Sequence, residues 1–306
     1  MFEKTVKTHF KNELPLNYIP LAISNRIMVS RSIVTRIRGR SGHKIVNRMF
    51  SPGDHGRSLK PFVFLDFLSG QVGKDGLRFG LHPHSGQQTL TYCLNAPVHY
   101  TDTEGVKGIL QPGGLEYMNP GGGAWHESNF YGSHDGLQAF QFWFASPPGI
   151  EDGPSSSVYL DPIKVPAGSN FKVLMGEYQG FNNPFPNPSH VNILDVQLKA
   201  GDVFNYIFPE GHSTSFVFVY QGAAKVADDD RDSTPQEIFM LDSAGDTVDV
   251  KASLDDTRII IASAVPHKWP LSLGMYSLHT NPESLSRGEA RINKLGEELA
   301  RKGLLK

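Results

Sequence analysis

At 306 residues the chain has room for two ordinary domains, each able to bury its own core. Lys plus Arg number 29 against 31 Asp plus Glu, so a net charge of -2 provides no global field for nucleic acid or an anionic membrane. The 31 glycines, 21 prolines and 19 phenylalanines describe many turns joining apolar strands, in a chain that is 39% hydrophobic.

Residues 1–30 read as a polar N-terminal extension, irregular around Pro15 and Pro20. It shows no apolar stretch followed by a small-residue cleavage site, and the chain shows no membrane span, so a cytoplasmic protein is expected. Cys93, the sole cysteine, lies in an apolar strand and reads as a small buried hydrophobe in a reducing compartment. Ser32 to Arg38 alternates in strand fashion, and its arginines read as a solvated strand face rather than a phosphate patch. Pro61 to Leu68 is apolar enough for a central strand; Asp66 within it requires a partner and reads as a structural acceptor for backbone or arginine.

The run from Phe79 to Tyr92 carries His82 and His84, two residues apart, so on an extended chain both imidazoles project to one side. Gly80 and Gly86 bracket the pair, and Pro83 suits a strand end. A third histidine, His126, follows Gly121-Gly-Gly123 and opens another strand. An HxH pair alone is more often a half-exposed turn; two histidines from one strand end and one from a second can hold a divalent metal at a barrel mouth.

From Thr89 to Ala145 short strands alternate with glycine and proline turns, without helices between them, as in a sandwich or barrel. Phe140, Phe142 and Phe144 share one face, read as core; Gln141 lies on the other and is open to a pocket role. Ser146 to Ser157, mostly Gly, Pro and Ser, reads as the linker, which divides the chain into domains at 31–150 and 158–306. The second half repeats the strand pattern. Phe208 to Thr214 aligns faintly with the His82 region but keeps only His212, which suggests two related barrels, the second degenerate. The acidic run Asp228 to Asp232 reads as a solvated hairpin tip. The one clear helix is C-terminal, with Thr280 to Glu283 as a capping box and Leu285, Ile292, Leu295 and Leu299 on one face.

Several segments together resemble the pirin family of bicupins: Pro61 to Asp66, His82-Pro-His84 to Tyr92, Gln111 to Met118, Gly121 to His126 and Phe140 to Trp143, with weaker likeness at Leu241 to Asp246, Pro266 to Pro270 and Gly274 to Asn281. The resemblance implies an all-β fold of two cupin-type barrels with a C-terminal helix, and one metal, commonly iron, in the N-terminal barrel. It implies quercetin 2,3-dioxygenase activity on a flavonoid-like molecule, or binding to a protein that regulates transcription; the balanced charge and the lack of a membrane span add the expectation of no direct nucleic-acid or membrane contact. Where the family carries a glutamate ligand two residues after the third histidine, this chain has Ser128, with Glu127 one place early; where the family has a further glutamate, it has Gln88.

Three readings follow. His82, His84 and His126 hold Fe(II) or another divalent transition metal; or Glu127, re-aimed by a bulge, joins them; or the metal is lost or purely structural and the protein works through a partner. Pro120 to Gly123 lacks the lysine and hydroxyl of a phosphate loop, and Ser128 beside His126 lacks the elbow of a hydrolase. His55, His99, His134 and His267 read as surface or loop residues.

Overall fold

The computed structural model describes residues 28–43, 45–103, 105–132 and 136–305. Most of the expected N-terminal extension, to residue 27, and His134 lie outside the described residues.

Phe62–Gly70 runs apolar because both of its faces are covered, and it sits inside a seven-stranded sheet between Leu137–Phe144 and Val46–Phe50. Beyond Leu137–Phe144 that sheet continues through Gln88–Cys93 and Leu115–Asn119 to Ser156–Leu160. Leu77–His84, Ala124–Phe130, Val98–Asp102 and Lys107–Leu110 form the opposing wall. Cys93, Val98, Leu110, Phe130 and Leu137 fill the space between the walls, with Cys93 fully buried as expected. The second half builds the same two walls from a six-stranded and a three-stranded sheet around Val217, Phe239, Val248 and Ile261.

The expected domain limits cut across the hydrogen bonding. Ile33–Arg38 pairs with Glu237–Leu241 at the edge of the second half's sheet, whereas Ser156–Leu160 pairs with Leu115–Asn119 in the first half's sheet. Each barrel thus covers an otherwise open strand edge with a segment that composition assigns to its neighbour or to the linker. The Gly, Pro and Ser content marks the turns, not the end of pairing.

The two large sheets meet face to face. Phe62 packs edge-on against Phe216 at 5.3 Å between ring centroids, and Phe67 and Phe140 meet Phe218 at 5.7 and 5.8 Å. The Phe140, Phe142, Phe144 face is therefore core, but core shared between the barrels.

The C-terminal helix, Pro282–Arg301, is capped by Asn281, whose side chain accepts from Ser284 N–H at 2.8 Å. Thr280, expected to be the cap, instead gives its main-chain N–H and its hydroxyl to the Glu151 carboxylate, both at 2.6 Å. Among the described residues no helix is long and apolar enough to cross a membrane.

Candidate metal centre

Ala124–Phe130 lies beside Leu77–His84 with His126 opposite His82, so their side chains share a face, and His84 joins it by the two-residue alternation of a strand. Nε2 of His126 is 3.1 Å from Nε2 of His82, and candidate ligand nitrogens of all three lie within 4.8 Å of one another. Two nitrogens bound side by side to one ion at about 2.1 Å stand about 3 Å apart, so the closer pair already has ligand spacing.

Behind the cluster, the Nδ1 atoms of two of the three rings have hydrogen-bond contacts. His82 Nδ1 donates to the Gly80 carbonyl at 2.7 Å, which leaves Nε2 as a free lone pair. His84 Nδ1 lies 2.8 Å from the Gln87 amide nitrogen, which also donates to the Tyr276 carbonyl of the second half at 2.9 Å. His126 Nδ1 faces Glu116 Oε1 at 3.4 Å, the long limit for a hydrogen bond, and has no better partner among the described residues.

Burial, then the neighbouring His126, pushes His82 down to about 4. Burial, then His126 and His82, holds His84 well below its ordinary value. Both rings are thus neutral near pH 7, the form that binds metal. Burial alone would raise the Glu116 carboxyl; contact with His126 and hydrogen bonds from Thr91 and Tyr159 outweigh it and bring that carboxyl below its usual range.

Glu127 is not brought to the cluster. Ala124–Phe130 alternates buried and half-buried positions, and Glu127 falls on the half-buried side opposite His126. A bulge exists here, but in the partner strand: His126 pairs with His82 and Ser128 with Phe79, so the extra residue lies in Leu77–His84. Pairing with Val98–Asp102 runs without a slip through Glu127, which therefore keeps its outward side, while Ser128 faces inward and buried. Gln88 also points elsewhere, accepting from Tyr117 at 2.9 Å and donating to Ser146 and Ser189 in the core between the barrels.

The histidines line a cavity of about 330 Å³. Phe64 and Trp143 stack at 4.3 Å on its wall, Phe79 packs edge-on to Phe130, and Gln141 adds a polar group. Asp66, read as an acceptor for arginine, takes a two-pronged pair from Arg48 at 2.7 and 2.9 Å, with the guanidinium over Phe64. Burial raises the Asp66 carboxyl despite that pair. Met275 and Tyr276 reach over from the second half, and Met275 is 84% exposed.

Sequence reasoning missed Glu116, Arg48 and Tyr276. Glu116 left a signal, a lone acid inside the apolar strand Leu115–Asn119; Tyr276 left none, because it acts through a main-chain carbonyl. Of the remaining histidines, His267 lies in a loop, one of the two places expected, but is buried there against Trp269. His212 holds the place in the second barrel that His84 holds in the first, between a small-sheet and a large-sheet strand, and its Nδ1 contacts Ser263 Oγ at 2.9 Å. Among the described residues no three-ligand group forms there.

Paired antiparallel barrels of this kind, with a histidine cluster inside the first, define a bicupin. Residues 43–144 match the sequence profile of the pirin family. A pirin-like protein of Caulobacter vibrioides is 30% identical over 218 residues, 67% of this chain and 76% of the relative. The chain belongs to the pirin family. Its fold is similar to that of a quercetin 2,3-dioxygenase from Acinetobacter baumannii, with a TM-score of 0.78 and 21% identity over 87% of this chain and 98% of the other. It is also similar to the bacterial pirin YhhW of Escherichia coli in complex with nickel(II), with a TM-score of 0.59 and 15% identity over 76% of this chain and 99% of the other.

Proposed function

We propose that this chain is a metal-dependent dioxygenase of the quercetin 2,3-dioxygenase type, with His82, His84 and His126 holding one divalent transition metal and Fe(II) as the working ion. The observation that carries the reading is the convergence of three imidazoles on a cavity with aromatic walls. A nickel(II)-bound family member supports a divalent ion, and a dioxygenase of the same fold supports the reaction class. Imidazole suits Fe, Ni, Cu and Zn, and three protein ligands leave positions open for substrate.

A bound Fe(II) supplies the redox chemistry that lets dioxygen react with an organic ligand. The chain's part is to bind, orient and exclude water. Phe64, Trp143, Phe79 and Phe130 offer faces and edges to a flat aromatic molecule, and the cavity lies at the small end of the range for small-molecule pockets. Gln141 and Ser128 provide hydrogen-bonding groups for hydroxyls of a flavonol-like substrate. Arg48 and Asp66 spend their charges on each other, so the wall they form is polar without a free charge.

The second reading, a non-catalytic module that binds a regulatory protein, draws support from one observation: among the described residues no carboxylate stands with the clustered ligand atoms, so the site carries less negative charge than the family pattern. One experiment separates the two. Protein purified without a metal-affinity column is analysed for metals, loaded anaerobically with Fe(II), and assayed with several flavonols under oxygen. About one equivalent of metal, lost in the His82→Ala/His84→Ala variant, with flavonol turnover, supports the dioxygenase. No metal after loading, or no turnover across the flavonols, overturns it.

A further inference from the structure

We propose that Glu116 is a positioning residue of the metal centre, its carboxylate behind His126 supplying the negative charge that serine at position 128 does not provide. This rests on the metal-binding reading above and extends it to a residue outside the cavity lining.

Glu116 is almost fully buried, at 1% exposure, on the strand Leu115–Asn119 of the large sheet. An ionised carboxylate in such a place needs a cation or several donors. Thr91 Oγ donates to Oε2 at 3.0 Å and Tyr159 lies 3.4 Å from Oε1, both neutral groups. Among the described residues its one ion-pair contact is with His126, and no lysine or arginine reaches it. His126 shows the complementary deficit: Nδ1 is buried and has no well-formed hydrogen bond. A metal on Nε2 draws electron density from the ring and strengthens Nδ1–H as a donor, so each group supplies what the other lacks. A carboxylate behind a ligating histidine fixes ring and tautomer and raises ligand basicity.

The position also fits the departure from the family pattern. Ser128 faces the cavity where the resemblance expects a carboxylate, and Glu127 is turned away. Charge absent from the front of the site is present behind it, on the opposite sheet.

The test is competition of Co(II) against a chromophoric chelator, with the full chain. Glu116→Gln keeps the hydrogen-bond acceptor and removes the charge; it is expected to bind Co(II) about 10–100-fold more weakly, with unchanged secondary structure. Glu116→Gln/Ser128→Glu, which puts a carboxylate on the cavity side, is expected to recover most of that loss, whereas a merely structural role for Glu116 would leave it unrecovered. A second measurement needs no variant: proton NMR of the Co(II)-loaded wild type is expected to show a shifted, slowly exchanging Nδ1–H of His126. Wild type that binds Co(II) with Glu116→Gln within twofold of it, or with that proton exchanging freely, overturns the role of Glu116 alone. Wild type that takes up no metal overturns the metal reading and this proposal with it.

Discussion

The phenol of Tyr92, in the first barrel, donates to Asp195 Oδ2, in the second, at 2.7 Å. Tyr220 donates to the other oxygen at 2.6 Å, and all three side chains are buried. Burial and then the Asp195 charge raise both phenols well above their ordinary value, so they stay protonated as donors. This polar clamp sits within the phenylalanine core between the large sheets.

Asp195→Ala leaves two buried hydroxyls without acceptors, at about 1–3 kcal/mol each, and is expected to lower stability by roughly 2–6 kcal/mol in urea unfolding. The triple variant with Tyr92→Phe and Tyr220→Phe removes the orphaned groups as well and is expected to regain part of the loss. A triple variant no more stable than Asp195→Ala would mean that the clamp contributes by shape and not by hydrogen bonding.

Glu127 and the histidines separate cleanly by side of strand. Because Glu127 faces away from His126, Glu127→Gln is expected to leave metal affinity within about twofold of wild type. His126→Ala removes a candidate ligand and is expected to reduce affinity by orders of magnitude. Competition titration of the two variants side by side checks both; a large loss in Glu127→Gln would require the strand to slip when metal binds.

Two histidines outside the cluster set a pH dependence of stability. Burial, then His190 and Arg31, lowers His212 to about 4; burial, then Lys60, lowers His267 to about 4. A histidine whose pKa in the folded state lies below its unfolded value of about 6.5 favours folding fully above that value. As pH falls from 6.5 toward 4 the unfolded chain takes up protons that the folded one refuses, and stability is lost. The full depression corresponds to roughly 3 kcal/mol per group as an upper limit. Urea midpoints of chelator-stripped protein are expected to drop between pH 7 and 4.5, and His212→Asn, which keeps a polar atom near Ser263, is expected to flatten the slope. An equally steep slope in that variant would place the acid lability elsewhere.

Side-chain chemistry was legible in the sequence where it follows strand alternation, and hidden where it depends on contacts between distant segments. His82, His84 and His126 were found because a two-residue spacing dictates a shared face, and the phenylalanine stripe because it alternates. The exchanged strands Ile33–Arg38 and Ser156–Leu160 were not, since pairing depends on which edge is open rather than on composition. Arg48 and Glu116 needed knowledge of which strands become neighbours. On the helix, apolar counting selected Leu285 and Leu295, yet the buried stripe is Ser284, Gly288, Ile292, Gly296 and Leu299. Glycines contribute nothing to a hydrophobic pattern, although here they let the helix approach most closely.

That approach gives the last prediction. A methyl group at Gly288 would come within 2.5 Å of His279 Nε2 and 2.6 Å of Ser85 Oγ, atoms that lie 3.0 Å from each other, and Ser85 follows His84 directly in sequence. In a free helix Gly→Ala stabilises by about 1 kcal/mol. Here the methyl must displace a fully buried His279, held on its other side by Ser284 Oγ at 3.0 Å, and overpacking of this kind costs about 1–3 kcal/mol. Gly288→Ala is therefore expected to lower the unfolding midpoint, and by shifting Ser85 to weaken metal binding as well. Ser286→Ala on the exposed side of the same helix is expected to be neutral or slightly stabilising. Thermal unfolding and Co(II) competition on both variants check this; a stabilised Gly288→Ala with wild-type affinity would mean that the helix can move outward without disturbing the strand that carries the histidines.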